Sequence, residues 1–302
     1  MSEPGPTVQD SLTAPVPSDG SLPPPVPKPG LATELSELGK APFEALGDGV
    51  ITLFREVGET AMLGFSVIAW TFRPPYRLRL LLQQAEFIGV GSLFIVLLTG
   101  LFTGLVFALQ SSFAFATFNA ESLVGATVVI SLTRELAPVL AGLMVTGRAG
   151  SAIATELGTM KVSEQIDALS TMAVSPVQYL AVPRVLAMTL VMPLLTMLFN
   201  MVGFLGAFIV SVFQAGIDRG TFMGRIHQYV ELTDVLGGLF KSAIFGFVIA
   251  LIACQKGMNA EGGSRGVGLA ATRTVVSGSV IVLVLDYVLT TIILTFLQPR
   301  SF

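Results

Sequence analysis

The chain has 302 residues, of which 52% are hydrophobic and only 12% are charged. A soluble domain carries about 25% charged residues, so this chain cannot cover a water-facing surface and most of it must face lipid. The net charge of −3 gives no reason to expect nucleic acid binding, and the single cysteine and single histidine exclude an internal disulfide and a Cys- or His-rich metal site.

The N-terminal segment, residues 1–43, is predicted to be a disordered, proline-rich tail and linker. It contains the run Pro23-Pro24-Pro25 and little apolar sequence that could build a core. The remaining residues, 44–302, are predicted to form one membrane domain.

Residues 44–72 are predicted to form an amphipathic helix that lies in the membrane interface. Apolar residues mix there with charged ones such as Arg55 and Glu59, and the uncharged run from Thr60 to Phe72 is too short to span a bilayer. Trp70 is expected to anchor the helix at the interface. The alternative is a short cytoplasmic helix that packs on protein.

Five apolar segments follow, and they predict an all-α integral membrane protein with five transmembrane helices. Only helices and closed barrels satisfy the backbone in lipid, and the apolar runs lack the alternation of barrel strands. The predicted spans cover about 87–110, 123–157, 185–213, 235–255 and 274–297.

The distribution of lysine and arginine predicts a cytoplasmic N-terminus and an external C-terminus. Arg73, Arg77 and Arg79 precede the first span, whereas the first connection has no basic residue. The third connection carries Arg219 and Arg225, which weakens the bias.

Four ionisable residues within or near the apolar segments are candidates for function, because a charge in the hydrocarbon is costly unless it is paired or hydrated. They are Arg134, Glu135, Arg148 and Asp286. Arg134 and Glu135 have an alternative placement at the outer interface of the membrane, whereas Arg148 lies deeper in the second span. Adjacent residues diverge around a helix, so Arg134 and Glu135 are not expected to pair with each other.

Small residues recur every four positions in the second span, a spacing that lets two helices approach closely in lipid. They are Gly142, Thr146, Gly150, Ala154 and Gly158, and Gly100 with Gly104 forms a similar pair in the first span.

The connection between the second and third spans is too polar to span but keeps helical spacing, which predicts a cytoplasmic coupling helix that docks on a soluble partner. The alternative is an ordinary solvated loop helix. The candidate coupling residues are Glu156, Lys161, Glu164, Gln165, Asp167 and Leu169.

No phosphate-binding loop is present, because Gly39-Lys40 is followed by Ala41 rather than by serine or threonine. The chain is therefore not expected to hydrolyse ATP by that route. It has no predicted catalytic or metal-binding residues and no cofactor of its own.

The second span and the connection after it resemble the MlaE/YrbE family of permeases. The resemblance rests on four ordered strings, Arg134-Glu135-Leu136-Ala137-Pro138-Val139-Leu140, Gly147-Arg148-Ala149-Gly150-Ser151-Ala152, Glu156-Leu157-Gly158-Thr159-Met160 and Glu164-Gln165-Ile166-Asp167-Ala168-Leu169, and extends through Pro183-Arg184-Val185-Leu186-Ala187. It covers roughly residues 45–300.

The resemblance implies a homodimeric core of an ABC transporter in the bacterial inner membrane that moves phospholipids or other hydrophobic molecules between the inner membrane and the outer envelope. It also implies a permease subunit rather than an enzyme, with ATP and magnesium on a separate cytoplasmic ATPase chain. The other implied partners are an MCE-domain substrate-binding protein and, in some systems, a STAS-domain protein. An ion-coupled secondary transporter that uses Asp286 or Arg148, and a non-transporting membrane scaffold, are the alternative functions.

Two apolar stripes with i, i+4 spacing are candidates for a lipid path between two copies of the chain. The alternative is that they face bulk lipid. The candidate residues are Leu97, Leu101, Leu105 and Leu109 with Gln110 as a head-group contact in the first span, and Ile281, Leu285 and Leu289 in the fifth.

Overall fold

The computed structural model of the protein describes residues 54–74 and 77–296, so the predicted tail lies outside the described residues. The described residues from Glu56 onward belong to one compact unit. Regular structure in the described ranges is entirely helical.

Eight helices follow one another in the described residues. They are α1 (54–71), α2 (Leu78–Ala116), α3 (Glu121–Val162), α4 (Gln165–Thr171), α5 (Val177–Gln214), α6 (Arg219–Tyr229), α7 (Leu232–Met258) and α8 (Gly263–Phe296). Five of them, α2, α3, α5, α7 and α8, are long and apolar enough to cross a membrane. The prediction of an all-α protein with five such helices is confirmed.

The helices extend beyond the predicted spans. α2 begins at Leu78 rather than near residue 87, and α8 begins at Gly263 rather than near residue 274. A helix rises about 1.5 Å per residue, so α2 is roughly 58 Å long and exceeds the roughly 30 Å of bilayer hydrocarbon. Charged residues mark where a helix leaves the hydrocarbon, whereas the backbone hydrogen bonds continue into the polar region.

α2 packs along the length of α5, and glycines make the approach close. A Cβ added at Gly104 would overlap the carbonyl oxygen of Gly203, and one at Gly100 would lie 3.0 Å from the carbonyl oxygen of Phe199. The predicted role of Gly100 and Gly104 in close helix packing is thus confirmed.

α7 lies at the centre of the packing and contacts α3, α5 and α8. The small residues of α3 face this group of helices. Gly142 lies against Phe245 and Val282, and Gly150 lies against Ile249 and Thr274. α8 is the least covered of the five long helices. Only 11% of its most apolar stretch is buried, against 50% for the corresponding stretches of α3 and α7.

α1 is fixed to the end of α7 by polar side chains. Glu56 forms an ion pair with Lys256, and Glu59 Oε2 accepts a hydrogen bond of 2.9 Å from Gln255 Nε2. Its opposite face exposes large apolar residues, among them Met62 and Phe65. This amphipathic pattern fits the predicted interfacial placement of residues 54–71, which stays a prediction, and residues 44–53 lie outside the described range.

α6 is a short polar helix between α5 and α7. Asp218 caps its first turn by accepting a hydrogen bond of 2.9 Å from the backbone N–H of Thr221, and this bond lowers the pKa of Asp218. Phe222 inserts into the bundle, where a Cβ at Gly125 would lie 2.7 Å from its ring. α6 is therefore held against the first turns of α3.

Candidate functional site

A cluster of five charged side chains joins α3, α7 and α8. Its first pair is Arg134 of α3 with Asp234 of α7, where Arg134 Nε donates a hydrogen bond of 2.8 Å to Asp234 Oδ1. The other oxygen of Asp234 accepts a bond of 3.0 Å from the backbone N–H of Glu231. The buried Asp234 carboxylate therefore both pairs with Arg134 and caps the first turn of α7.

The second part of the cluster surrounds Lys241 of α7, which is only 2% exposed. Its ammonium group donates hydrogen bonds to Glu135 Oε2 at 2.6 Å, to Thr290 Oγ1 at 2.8 Å and to the Arg134 carbonyl oxygen at 3.1 Å. Asp286 Oδ1 of α8 lies 2.7 Å from the same nitrogen and forms an ion pair with it. Lys241 therefore joins carboxylates of α3 and α8.

Local backbone geometry brings these groups together. Residues Leu132–Leu136 form one turn of π-helix within α3, which carries both Arg134 and Glu135. Their partners, Asp234 and Lys241, are seven residues apart and lie two turns apart on one face of α7. Gly238 lies between them, and a Cβ there would overlap the carbonyl oxygen of Thr133, so glycine allows α7 to approach α3.

A small cavity of about 20 Å³ remains inside the cluster, large enough for about one water molecule. Its lining includes Arg134, Glu135, Asp234 and Lys241. The cluster holds two cations and three carboxylates, which is the pairing that a charge needs in order to persist in an apolar segment.

The structure brings together three of the four ionisable residues that the sequence singled out, namely Arg134, Glu135 and Asp286. Sequence reasoning missed Asp234 and Lys241. Lys241 interrupts the predicted span over 235–255, and that interruption was the available signal.

Arg148 lies apart from the cluster and contacts α2. Its guanidinium carbon is 4.7 Å from the centroid of the Phe87 ring, and its Nη1 donates a hydrogen bond to the Phe87 carbonyl oxygen. Gly91 makes room for this side chain, because a Cβ there would overlap the guanidinium group. Arg148 therefore fixes α3 to α2 through an aromatic ring and a carbonyl oxygen.

The predicted coupling residue Glu156 pairs with α5. Its Oε1 lies 2.7 Å from Arg184 Nη2, and Arg184 Nη1 donates a bond of 2.8 Å to the Leu180 carbonyl oxygen. Arg184 is almost completely buried, whereas Glu156 is exposed. This ion pair joins the ends of α3 and α5 that enclose α4.

The connection around α4 exposes most of the other predicted coupling residues. Glu164 adopts a left-handed conformation with φ of 59°, which costs about 1–2 kcal/mol for a residue other than glycine and turns the chain between α3 and α4. Glu164, Gln165 and Asp167 are exposed and Leu169 is half-buried, while Ile166 is buried.

An ion pair closes the same turn. Lys161 Nζ, at the end of α3, donates hydrogen bonds of 2.8 and 3.0 Å to the two oxygens of Asp167. Sequence reasoning missed Met172, which directly follows α4 and has a 72% exposed apolar side chain. A short exposed helix with acidic, amide and apolar side chains, tied to the end of α3, is a surface that a soluble protein could bind.

The lipid-path candidates of α2 flank its contact with α5. Leu97, Leu101, Leu105 and Leu109 are half-buried and Gln110 is exposed. Leu109 lines a cleft of about 290 Å³ between the C-terminal ends of α2 and α5.

The candidates of α8, Ile281, Leu285 and Leu289, are also half-buried, and Leu285 and Leu289 pack against the core. α2 packs mainly on α5, and α8 mainly on α3 and α7. The two stripes therefore line different parts of the single chain.

Comparison with known proteins gives a consistent assignment. The family described as permease MlaE matches residues 81–292. A probable ABC transporter permease protein of Rickettsia conorii is 41% identical over 246 residues, which cover 82% of this chain and 95% of that protein.

Two further relatives carry names that refer to lipids. The intermembrane phospholipid transport system permease protein MlaE of Haemophilus influenzae is 39% identical over 251 residues, 83% of this chain and 96% of that protein. The chloroplastic protein TRIGALACTOSYLDIACYLGLYCEROL 1 of Arabidopsis thaliana is 38% identical over 208 residues, 69% of this chain and 59% of that protein. The chain is a multi-pass inner-membrane permease that belongs to the MlaE permease family.

Proposed function

We propose that the chain is the membrane-spanning subunit of an ATP-driven transporter that moves phospholipid or a similar hydrophobic molecule between the inner membrane and the outer envelope. Membership of the MlaE family supports a lipid cargo, because the Haemophilus influenzae relative is named for phospholipid transport. The observation that carries the ATP-driven part is α4, a short exposed helix fixed between two long apolar helices.

The proposed coupling follows from how α4 is held. The pair of Lys161 with Asp167 ties it to α3, and the pair of Glu156 with Arg184 ties the end of α3 to α5. If a partner displaces α4, these ion pairs therefore transmit the displacement to both α3 and α5. The ATPase, with its ATP and magnesium, is a separate ABC subunit, and this chain needs no cofactor.

The proposed assembly contains two copies of the chain. α8 exposes Val276, Val280, Val284 and Tyr287 on its uncovered face, and a second copy could cover this face. Two copies would bring the α2 and α8 stripes of one chain near those of the other and enclose a lipid path.

The external MCE-domain protein is proposed to bind at the ends of the spans opposite to α4, and a STAS-domain protein to bind with the ATPase. The N-terminus is proposed to be cytoplasmic, which places α4 on the same side as ATP.

The test is reconstitution of the permease with its ATPase in proteoliposomes, followed by measurement of labelled phospholipid movement. Lipid should move only with ATP. Charge reversal of the exposed acidic residues, Glu164→Arg with Asp167→Arg, should detach the ATPase or abolish lipid movement per ATP hydrolysed. Glu261→Arg, a charge reversal of an exposed acidic residue between α7 and α8, is the control and should retain coupling.

Two results would contradict the proposal. Movement that follows an ion gradient without ATP would indicate a secondary transporter. Failure of the ATPase to bind the unmodified chain would indicate a membrane scaffold.

A further inference from the structure

A second cleft lies where the end of α1, the start of α2 and the start of α5 meet. It has a volume of about 180 Å³ and is separate from the charged cluster and from the lipid-path stripes. The described residues that line it are Trp70, Thr71, Arg73, Arg77, Leu78, Leu81, Gln178, Val182, Pro183 and Leu186. Two of these residues are basic, and none is acidic.

Both arginines are held by aromatic rings. The guanidinium carbon of Arg77 lies 4.3 Å from the centroid of the Tyr179 ring, and that of Arg73 lies 5.3 Å from the centroid of the Trp70 ring. A guanidinium group stacked by its face keeps its in-plane N–H donors available, and this fork matches the oxygens of a phosphate.

One of these donors lacks a partner. Arg77 Nη1 is buried and has no hydrogen-bond acceptor among the described groups. A buried charged donor without an acceptor is costly, so an oxygen atom of a ligand would remove a penalty that the protein alone leaves in place.

The rest of the cleft is apolar. Leu78 and Leu81 form one wall, and Val182, Pro183 and Leu186 form the other. A ligand that satisfies the arginines and also fills this groove needs an anionic group joined to a hydrocarbon chain.

We propose that this cleft binds an anionic phospholipid, with its phosphate on Arg73 and Arg77 and an acyl chain between Leu81 and Leu186. Basic pockets between membrane helices bind anionic head groups, and tryptophan favours the head-group level of the membrane. The bound lipid is a resident component of the fold. It connects the turn between α1 and α2 to the start of α5, the helix that follows α4, and the inference does not depend on which molecule is transported.

The chain offers an internal probe, because Trp70 is its only tryptophan and lines the cleft. The full-length protein in nanodiscs is titrated with phospholipids that carry brominated acyl chains, which quench tryptophan fluorescence on contact. Brominated phosphatidylglycerol should quench Trp70 at a several-fold lower mole fraction than brominated phosphatidylcholine. Arg77→Gln should bring the two curves together, whereas Arg79→Gln, the same charge change outside the cleft, should leave them apart.

Three outcomes would overturn the proposal. The quenching curves of the two lipids could coincide in the unmodified protein, or the preference for phosphatidylglycerol could survive Arg77→Gln. Millimolar inorganic phosphate could abolish that preference, which would assign the arginines to a soluble phosphate instead. If Arg77→Gln does not fold, Arg77→Lys keeps the charge but loses the planar fork, and its preference should be reduced.

Discussion

Lys241 is the residue on which the charged cluster depends, because it alone contacts carboxylates of both α3 and α8. Its removal leaves Glu135 and Asp286 close to each other without a cation. Removing one partner of a fully buried pair costs about 3–5 kcal/mol. The side chains of Glu135 and Asp286 are 39% and 22% exposed, so solvent screening brings the loss below that figure.

We therefore expect Lys241→Met to lower the Tm of the purified protein by several degrees and to reduce its yield. Lys161→Met removes a lysine from the partly exposed pair with Asp167, and such a pair contributes about 1 kcal/mol or less. Thermal unfolding in detergent compares the two variants. The assignment of Lys241 would be wrong if both lost the same stability, and adding Glu135→Gln and Asp286→Asn to Lys241→Met should restore part of the loss.

Among individual residues, the sequence predicted which charges matter better than it predicted what they contact. Arg134, Glu135 and Asp286 stood out because each lies in or near an apolar segment. The partners Asp234 and Lys241 are about 100 residues from Arg134 and Glu135 along the chain. Such a pairing depends on which helices pack together, and helical spacing carries no information about that.

At the scale of helices, the contact between α2 and α5 is set by backbone atoms. A Cβ at Gly104 would lie 2.0 Å from the carbonyl oxygen of Gly203, and a carbonyl oxygen in a regular helix cannot rotate away as a side chain can. Close contact of this kind is what holds helices together in lipid, where the hydrophobic effect does not drive association between them.

Replacement of Gly104 by leucine should separate the two helices and destabilise the protein by about 1–3 kcal/mol, the usual cost of overpacking. Gly147→Leu is the matched control, because nothing lies within 4 Å of a Cβ at that position. Thermal unfolding and the yield of folded protein should show a loss for Gly104→Leu alone. Equal behaviour of the two variants would mean that the α2–α5 packing is wrong.

The sequence predicted which segments form long helices, but it did not predict what each helix packs against. Long apolar segments with few charges identified the five apolar helices. The stripes of α2 and α8 were correctly periodic, yet Leu105 and Leu285 are half-buried beside neighbouring helices of the same chain. The helical period of 3.6 residues shows which residues share a face. What that face contacts depends instead on how the whole bundle packs.

On the scale of the whole molecule, an odd number of membrane crossings places the two ends of the chain on opposite sides. The basic residues before α2 favour a cytoplasmic N-terminus. Cysteines introduced by Ser2→Cys and Ser301→Cys should therefore differ in labelling by a membrane-impermeant reagent, with only residue 301 labelled from outside. Cys254 is buried and should contribute little background. Equal labelling of both positions from one side would require an even number of crossings.

The proposed lipid path would connect this topology to function, because it would place the cargo against particular residues of α2 and α8. Photo-crosslinking from Leu105 and Leu285 in the intact complex tests it most directly. It detects lipid on this chain and its dependence on ATP in a single readout. We predict that both positions capture phospholipid in amounts that change between the nucleotide-free and ATP-bound states. Leu194, an exposed position on α5, is the control and should capture lipid without regard to nucleotide. Capture at Leu105 and Leu285 that matches the control in every nucleotide state would contradict the account.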